Sequence, residues 1–127
     1  MIKPIALTAF AIATMTGFWI EAANGGTTHV HAARRLKYVA IQKVFDANCI
    51  KCHGARPRGQ IDLRSYESVM KGGEDGKIIV PGSPEKSVLA KALHGNGVRQ
   101  MPPSGAIKSL DIRMIEAWIR EGANNLK

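Results

Sequence analysis

The sequence predicts an all-α domain of three main helices and one or two short ones, joined by long loops. Two observations support this fold class. Apolar residues recur at helical spacing in several segments, and no segment shows convincing alternation of apolar and polar residues. The chain has 127 residues, of which 45% are apolar and 22% charged. This composition suits one globular domain and excludes a collagen-like chain, a long coiled coil and a wholly disordered tail.

The amino-terminal segment has the composition of an export signal. Residues 5–20 carry no charge and lie between Lys3 and Glu21. A basic start, an apolar middle and small residues after it are typical of a secretory signal, whereas a spanning helix needs roughly 20 apolar residues. We therefore predict that residues 1–25 are a signal peptide or an uncleaved anchor, that residues 26–33 are a linker and that residues 34–127 form the domain. Both interpretations export the domain.

Two helices are expected in the first half of the domain. The first is predicted from Arg34 to Asn48, where apolar residues form one approximate stripe. A short helix is predicted from Ser65 to Met70, because Gly72 and Gly73 would end it.

Two further helices are expected in the second half. Ser83, followed by proline and glutamate, is a typical helix start, and this helix is predicted to run to about Leu93. Residues 96–107 are rich in glycine and proline and form a loop. The last helix is predicted from Leu110 to Glu121, with Ser109 as its N-cap and Gly122 at its end.

The segment Cys49-Ile50-Lys51-Cys52-His53 is the most informative motif. The pattern Cys-x-x-Cys-His is that of covalent c-type haem attachment, in which both thiols bind the haem and the histidine binds its iron. Three alternatives remain at this stage. A thiol–disulfide redox pair would require a βαβ pattern, which is not visible. A closed zinc site would need four ligands, which His94 completes on paper. The third alternative is a structural disulfide.

The order of motifs along the chain extends this interpretation, and residues 45–123 resemble the class I cytochrome c fold, in particular the planctomycete-type cytochrome c domain. The resemblance implies a small domain wrapped around one covalent haem c, attached through Cys49 and Cys52, with His53 as the proximal iron ligand. The stretch 56–60 departs from the pattern of that family. The matching pieces are Phe45-x-x-x-Cys49-x-x-Cys52-His53-Gly54, Gly59-x-Ile61-x-Leu63, Val80-Pro81-Gly82-x-Pro84-x-x-Ser87-x-Leu89, Met101-Pro102-Pro103 and Ile115-x-x-Trp118-Ile119-x-x-Gly122-Ala123.

Met101 is the predicted distal iron ligand. It lies in the loop, and two prolines stiffen the backbone that follows it; the family resemblance implies the same role. His94 near a helix end is the rival ligand. The other candidates have simpler explanations: Met70 and Met114 lie in helical patterns and are expected to fill the core, and His29 and His31 lie in the linker.

The charge of the chain predicts the kind of partner. The chain contains eighteen lysine and arginine residues and ten aspartate and glutamate residues, which gives a net charge of +8. A positive surface around a haem edge would attract acidic redox proteins. A nucleic acid partner is not expected, and membrane contact is expected only through an amino-terminal anchor. The basic residues close to the two ligand segments are Lys51, Arg56, Arg58, Lys86, Lys91, Arg99 and Lys108.

Together these observations predict an exported monohaem cytochrome that transfers single electrons and has no catalytic residues of its own. It would be periplasmic, either soluble or tethered by its amino-terminal segment. One alternative is a haem c accessory subunit of a larger dehydrogenase or oxidoreductase complex. Another is a haem-based sensor with a labile sixth ligand. Trp118 is expected in the core, near Phe45 and the haem edge, because the last helix of this fold crosses the first.

Overall fold

The computed structural model describes residues 35–126. This part of the chain is helical and contains no strand, only an isolated bridge between Gly73 and Gly76, so the predicted all-α fold class is confirmed. The predicted signal or anchor and linker lie outside the described residues, as do His29 and His31. Four α-helices are present: α1 (Tyr38–Asn48), α2 (Tyr66–Lys71), α3 (Val88–His94) and α4 (Ser109–Arg120). Short 3₁₀ turns span Arg58–Gln60 and Pro84–Lys86.

Helix α1 begins four residues later than the predicted start at Arg34. The residues before it bond to the other end of the domain instead. The Leu36 N–H donates to the Glu121 carboxylate at 2.9 Å, and the Tyr38 N–H donates to the Leu126 carbonyl oxygen at 3.2 Å. Lys37 has an extended backbone. The backbone groups that would otherwise start the helix earlier are therefore used to join the two ends of the domain.

Helix α2 confirms the predicted short helix. The Ser65 hydroxyl accepts a hydrogen bond from the Ser68 N–H, and the Ser68 hydroxyl accepts one from the Ser65 N–H. This reciprocal capping box satisfies two backbone donors at the helix start. Gly72 follows the helix with a φ of +88°, a conformation that favours glycine.

The helix predicted from Ser83 to Leu93 is interrupted, so this prediction is wrong in part. A 3₁₀ turn over Pro84–Lys86 is followed by Ser87, which has an extended backbone, and only then by α3. Ser87 is fully buried, and its hydroxyl accepts from the Val80 N–H at 2.9 Å and donates to the Ser83 carbonyl oxygen at 2.9 Å. The Ser83 side chain makes no capping bond. Ser87 therefore bonds to the turn at Val80 instead of continuing a helix from Ser83 to Leu93.

Helix α4 begins at Ser109, so the prediction that Ser109 is its N-cap is wrong. Lys108 occupies that position and makes no side-chain capping bond. The carboxyl end is as predicted: Gly122 has a φ of +97°, and the next N–H, that of Ala123, donates to the Trp118 carbonyl oxygen.

The core lies where α1, α3 and α4 pack together, since α4 contacts both of the other helices. Its fully buried members include Ile41 and Phe45 from α1 and Ile115, Trp118 and Ile119 from α4. Each helix supplies these residues from one face, as its amphipathic pattern predicts. Among the residues that the structure describes, no helix has both the length and the apolar character that a membrane crossing requires.

Candidate haem-attachment site

The Cys-x-x-Cys-His motif forms one turn directly after α1. The Cys49 N–H donates to the Phe45 carbonyl oxygen at 2.8 Å, which continues the hydrogen bonding of the helix. The Cys49 carbonyl oxygen then accepts from both the Cys52 N–H at 3.1 Å and the His53 N–H at 3.0 Å. Both cysteines are free thiols and half-buried. The structure thus brings all three motif residues together in one hydrogen-bonded turn.

The ring of His53 is oriented by a backbone carbonyl group. Its Nδ1 lies 3.1 Å from the carbonyl oxygen of Ile61. A carbonyl oxygen only accepts hydrogen bonds, so Nδ1 carries the proton and donates. In the neutral imidazole Nε2 then has a free lone pair, which is the form that binds a metal. The side chain of His53 therefore fits the role of an axial iron ligand.

The segment 61–63 that orients His53 is itself held in place. The Leu63 N–H donates to the His53 carbonyl oxygen at 2.8 Å, and Gln42 Nε2 donates to the Leu63 carbonyl oxygen at 2.9 Å. Asp62, between Ile61 and Leu63 in the chain, forms an ion pair with Arg64 at 2.8 Å. Hydrogen bonding by the Arg64 side chain lowers the pKa of Asp62 below its ordinary value. His53 is thus fixed at both its ring and its backbone by one segment.

The surroundings of the cysteines do not favour a thiol–disulfide redox pair. Burial raises the pKa of the Cys49 thiol to about 11, so it is protonated at neutral pH. Redox-active cysteines instead have a lowered pKa, because the thiolate is the nucleophile. The βαβ pattern of such enzymes is also absent from residues 35–126.

The zinc alternative finds no support in the arrangement of ligands. His94, its fourth ligand on paper, bonds through Nε2 to the Glu116 carboxylate at 2.7 Å. Within the described chain, no group of three or more histidine, cysteine, aspartate or glutamate residues is placed to hold a metal ion. His94 therefore joins α3 to α4, and the same contact also weakens its candidacy as the distal iron ligand.

The three methionines of the described residues have different surroundings. Met70 and Met114 are half-buried and pack against the core, as the sequence predicts. Met101 is half-buried in the loop after α3, and its N–H donates to the Ala92 carbonyl oxygen at 2.8 Å. This bond attaches the backbone of Met101 to the last turn of α3. Met101 is therefore the methionine whose position is set by its backbone rather than by side-chain packing in the core.

Trp118 is a core residue. It is buried, its ring centroid lies 5.6 Å from that of Tyr38, and its Nε1–H donates to the Asn124 carbonyl oxygen at 3.0 Å. Phe45 belongs to the same core cluster, but the aromatic partner of Trp118 is Tyr38, at the beginning of α1. The polar atom of the indole is thus satisfied inside the core.

Two surface cavities lie elsewhere. One, of about 580 Å³, lies between α1, α2 and the carboxyl-terminal segment and is lined by Tyr38, Tyr66 and Leu126, among others. The other, of about 410 Å³, lies beside His94 and Glu116. Neither is lined by Cys49, Cys52 or His53.

Comparison with known families identifies the segment that carries the motif. Residues 49–105 match planctomycete cytochrome C. The resemblance inferred from the sequence motifs is thereby confirmed. No curated protein and no solved structure matches the chain. A cytochrome c domain implies covalently bound haem c and electron transfer by that haem, and the matched segment contains both Cys49 and Cys52.

Sequence reasoning did not identify two features of this site. One is the Ile61 carbonyl group, because a backbone acceptor leaves no signal in the sequence. The other is Gln42, whose side chain bonds to Tyr38, Asp46 and Leu63. The spacing of four residues between Tyr38, Gln42 and Asp46 places them on one helix face and could have indicated this network.

Proposed function

We propose that this protein is an exported monohaem c-type cytochrome that transfers single electrons between redox partners. Cys49 and Cys52 would attach the haem, His53 would bind its iron on one side and Met101 on the other. The bound haem supplies the one-electron redox couple, and the protein binds, orients and tunes it.

One observation carries the proposal: the hydrogen bond between His53 Nδ1 and the Ile61 carbonyl oxygen. It leaves Nε2 free to bind iron, it fixes the plane of the ring, and it increases the electron density of the ring toward the metal. The histidine stands in the same hydrogen-bonded turn as Cys49 and Cys52, which form no disulfide with each other. The described residues place no group of three or more ligands that would complete a zinc site, and the raised pKa of the Cys49 thiol does not suit a redox disulfide.

Met101 as the second axial ligand favours a carrier over a catalyst. His53 and Met101 would together saturate a bound haem iron, which would leave no open position for a substrate or a gas. Methionine ligation also raises the reduction potential of haem. Two prolines after Met101 and the bond from its N–H to Ala92 restrict the backbone, which lowers the entropy cost of ligation.

The distribution of charge supports an acidic redox partner. The segments 47–61 and 86–110, which contain the proposed ligands, carry seven lysine and arginine residues and no aspartate or glutamate. The rest of residues 35–126 carries eight basic and nine acidic residues. Within residues 35–126 the net positive charge thus comes entirely from the two ligand segments, and six of those seven basic side chains are exposed. Such a field would accelerate encounters with an anionic surface.

The proposed organisation of the chain follows the sequence. Residues 1–25 would direct export, either as a cleaved signal or as an anchor, residues 26–33 would connect, and residues 34–127 would form the haem domain. Export fits the proposed cofactor because c-type haem is attached outside the cytoplasmic membrane.

Covalent attachment can be tested directly. We expect the wild-type protein to stain for haem on a denaturing gel and to give a pyridine haemochrome spectrum of haem c after acid–acetone extraction. The double variant Cys49→Ala/Cys52→Ala should lose both signals. His94→Ala, the matched control at the rival ligand, should keep both. Staining that survives in the double variant would refute attachment through these thiols.

A further inference from the structure

The side chain of Gln42 joins helix α1 to the segment that orients His53. The Gln42 amide makes three hydrogen bonds: Oε1 accepts from the Tyr38 hydroxyl at 2.7 Å, and Nε2 donates to Asp46 at 2.8 Å and to the Leu63 carbonyl oxygen at 2.9 Å. A carboxylate and a carbonyl oxygen only accept, so the orientation of the amide is determined by its partners. Both Nε2 hydrogens are used, and one of them reaches a residue 21 positions away in the chain.

The segment 61–63 contacts His53 on either side of Asp62. The Ile61 carbonyl oxygen bonds to the ring at Nδ1, and the Leu63 N–H donates to the His53 carbonyl oxygen. Leu63 is buried in the core, while Ile61 is half-buried against it. Gln42 bonds to the carbonyl oxygen of the same residue, Leu63. A displacement of this segment would therefore alter both hydrogen bonds to His53.

The geometry points to Gln42 as a positioning residue for His53, acting through the backbone of Leu63 and Ile61. This inference rests on the proposed function, in which His53 binds the haem iron. Partners that orient a metal-binding histidine tune the metal although they do not touch it. Gln42 does not bond to His53 itself but to the Leu63 carbonyl oxygen. None of the family motifs quoted above includes position 42.

Loss of the Gln42 bond should shift the balance between ferric and ferrous iron. The Nδ1 hydrogen bond makes the imidazole a stronger donor, which favours the ferric state. If the segment 61–63 loosens, that bond weakens and the reduction potential rises. Removal of a direct partner costs about 10-fold to 100-fold in metal affinity or activity. Gln42 acts through the backbone, so we expect the equilibrium constant for reduction of the haem to change by less than about tenfold. This corresponds to a rise in reduction potential of less than about 59 mV for one electron.

The test compares three variants of the haem-loaded protein. Gln42→Met keeps the shape of the side chain and removes all three hydrogen bonds. Gln42→Asn keeps the amide but is one methylene too short to reach Leu63, and it provides the answer if Gln42→Met does not fold. Tyr38→Phe is the matched control, because it removes one hydrogen bond of the same network and leaves the bond to Leu63. The measurements are the reduction potential, the NMR shifts of the His53 ring in the ferric state and the free energy of unfolding.

We expect all three variants to lose stability, and only the two Gln42 variants to raise the potential and move the His53 ring signals. An unchanged potential in both Gln42 variants would overturn the inference. So would an equal shift in Tyr38→Phe, because the effect would then be a general loosening of α1. A wild-type protein without covalent haem would instead refute the proposed function, and the pyridine haemochrome spectrum separates that failure from the other two.

Discussion

The three methionines of residues 35–126 provide a test of the distal ligand, because Met101 alone lies in a loop. In the haem-loaded protein, Met101→Ala should lower the reduction potential, since methionine ligation raises it. The variant should also lose the weak far-red absorption of a sulfur–iron bond, which the family resemblance implies, and it should bind carbon monoxide. Electrochemistry and absorption spectra of the oxidised and reduced protein measure all three effects.

Met70 and Met114 are the matched controls for this prediction. Both pack against the core, so Met70→Ala and Met114→Ala should each cost about 2 kcal/mol of unfolding free energy, the lower end for methionine truncation because both are only half-buried. Neither should change the far-red absorption, nor should His94→Ala. Met101 would be the wrong ligand if its variant kept that absorption while a change at His94 or Met114 abolished it.

Asp62 predicts a pH dependence of stability. The hydrogen bond from Arg64 lowers the pKa of Asp62 in the folded state, so the ionised carboxylate stabilises the fold above the ordinary pKa of about 3.9. That contribution is lost as the pH falls through the lowered pKa. Asp62→Asn should therefore reduce stability at pH 7, and its difference from the wild type should shrink below about pH 4. The effect will be small, because the pair is exposed.

Urea unfolding at several pH values measures this difference. Arg64→Gln should show the same pH dependence of stability as Asp62→Asn. The double variant should be at least as stable as the less stable of the two single variants, because each single change already removes the ion pair. If the difference in unfolding free energy between wild type and Asp62→Asn stayed constant below about pH 4, the stabilising role of this ion pair would be contradicted.

At the scale of the helices, the interruption before α3 depends on one buried hydroxyl. Ser87→Ala would leave the Val80 N–H without its partner and should cost about 1 kcal/mol, because the bond is only partly buried. Ser83→Ala should change stability by less than about 0.5 kcal/mol, because its side chain makes no capping bond. Denaturant unfolding of the two variants compares them. If Ser83→Ala proved the more damaging change, the helix would start where the sequence pattern places it.

At the scale of the whole molecule, the asymmetry of charge predicts salt-dependent electron transfer. The rate with an anionic partner protein should fall as ionic strength rises from about 0.01 to 0.15 M, because the Debye length shrinks from about 30 to 8 Å. Stopped-flow measurement of the reduction rate at several salt concentrations tests this. A flat response would mean that the basic residues are only a solvated surface.

A pair of charge-reversal variants locates the effect. Arg56→Glu/Arg58→Glu changes a ligand segment, and Lys37→Glu/Lys43→Glu makes the same change in net charge outside both ligand segments. The first variant should reduce the salt dependence clearly more than the second. Equal effects would show that net charge matters and that its position does not.

Short-range patterns in the sequence determined much of this protein. The apolar stripes predicted the helices, and Gly72 and Gly122 predicted helix ends that the structure confirms. The motif from Cys49 to His53 predicted the attachment site in the family that residues 49–105 match. These features depend on residues within about one or two helical turns of each other, for which propensity and spacing are sufficient information.

The tertiary structure decided what depends on distant backbone groups. Helix α1 starts late because Leu36 bonds to Glu121, and the helix before α3 breaks because Ser87 bonds to the Val80 turn. The Ile61 carbonyl group that orients His53 is a feature that every residue type possesses, so no side chain could have indicated it. Because every buried backbone group must find a partner, these choices follow from which segments meet, and only the folded chain determines that.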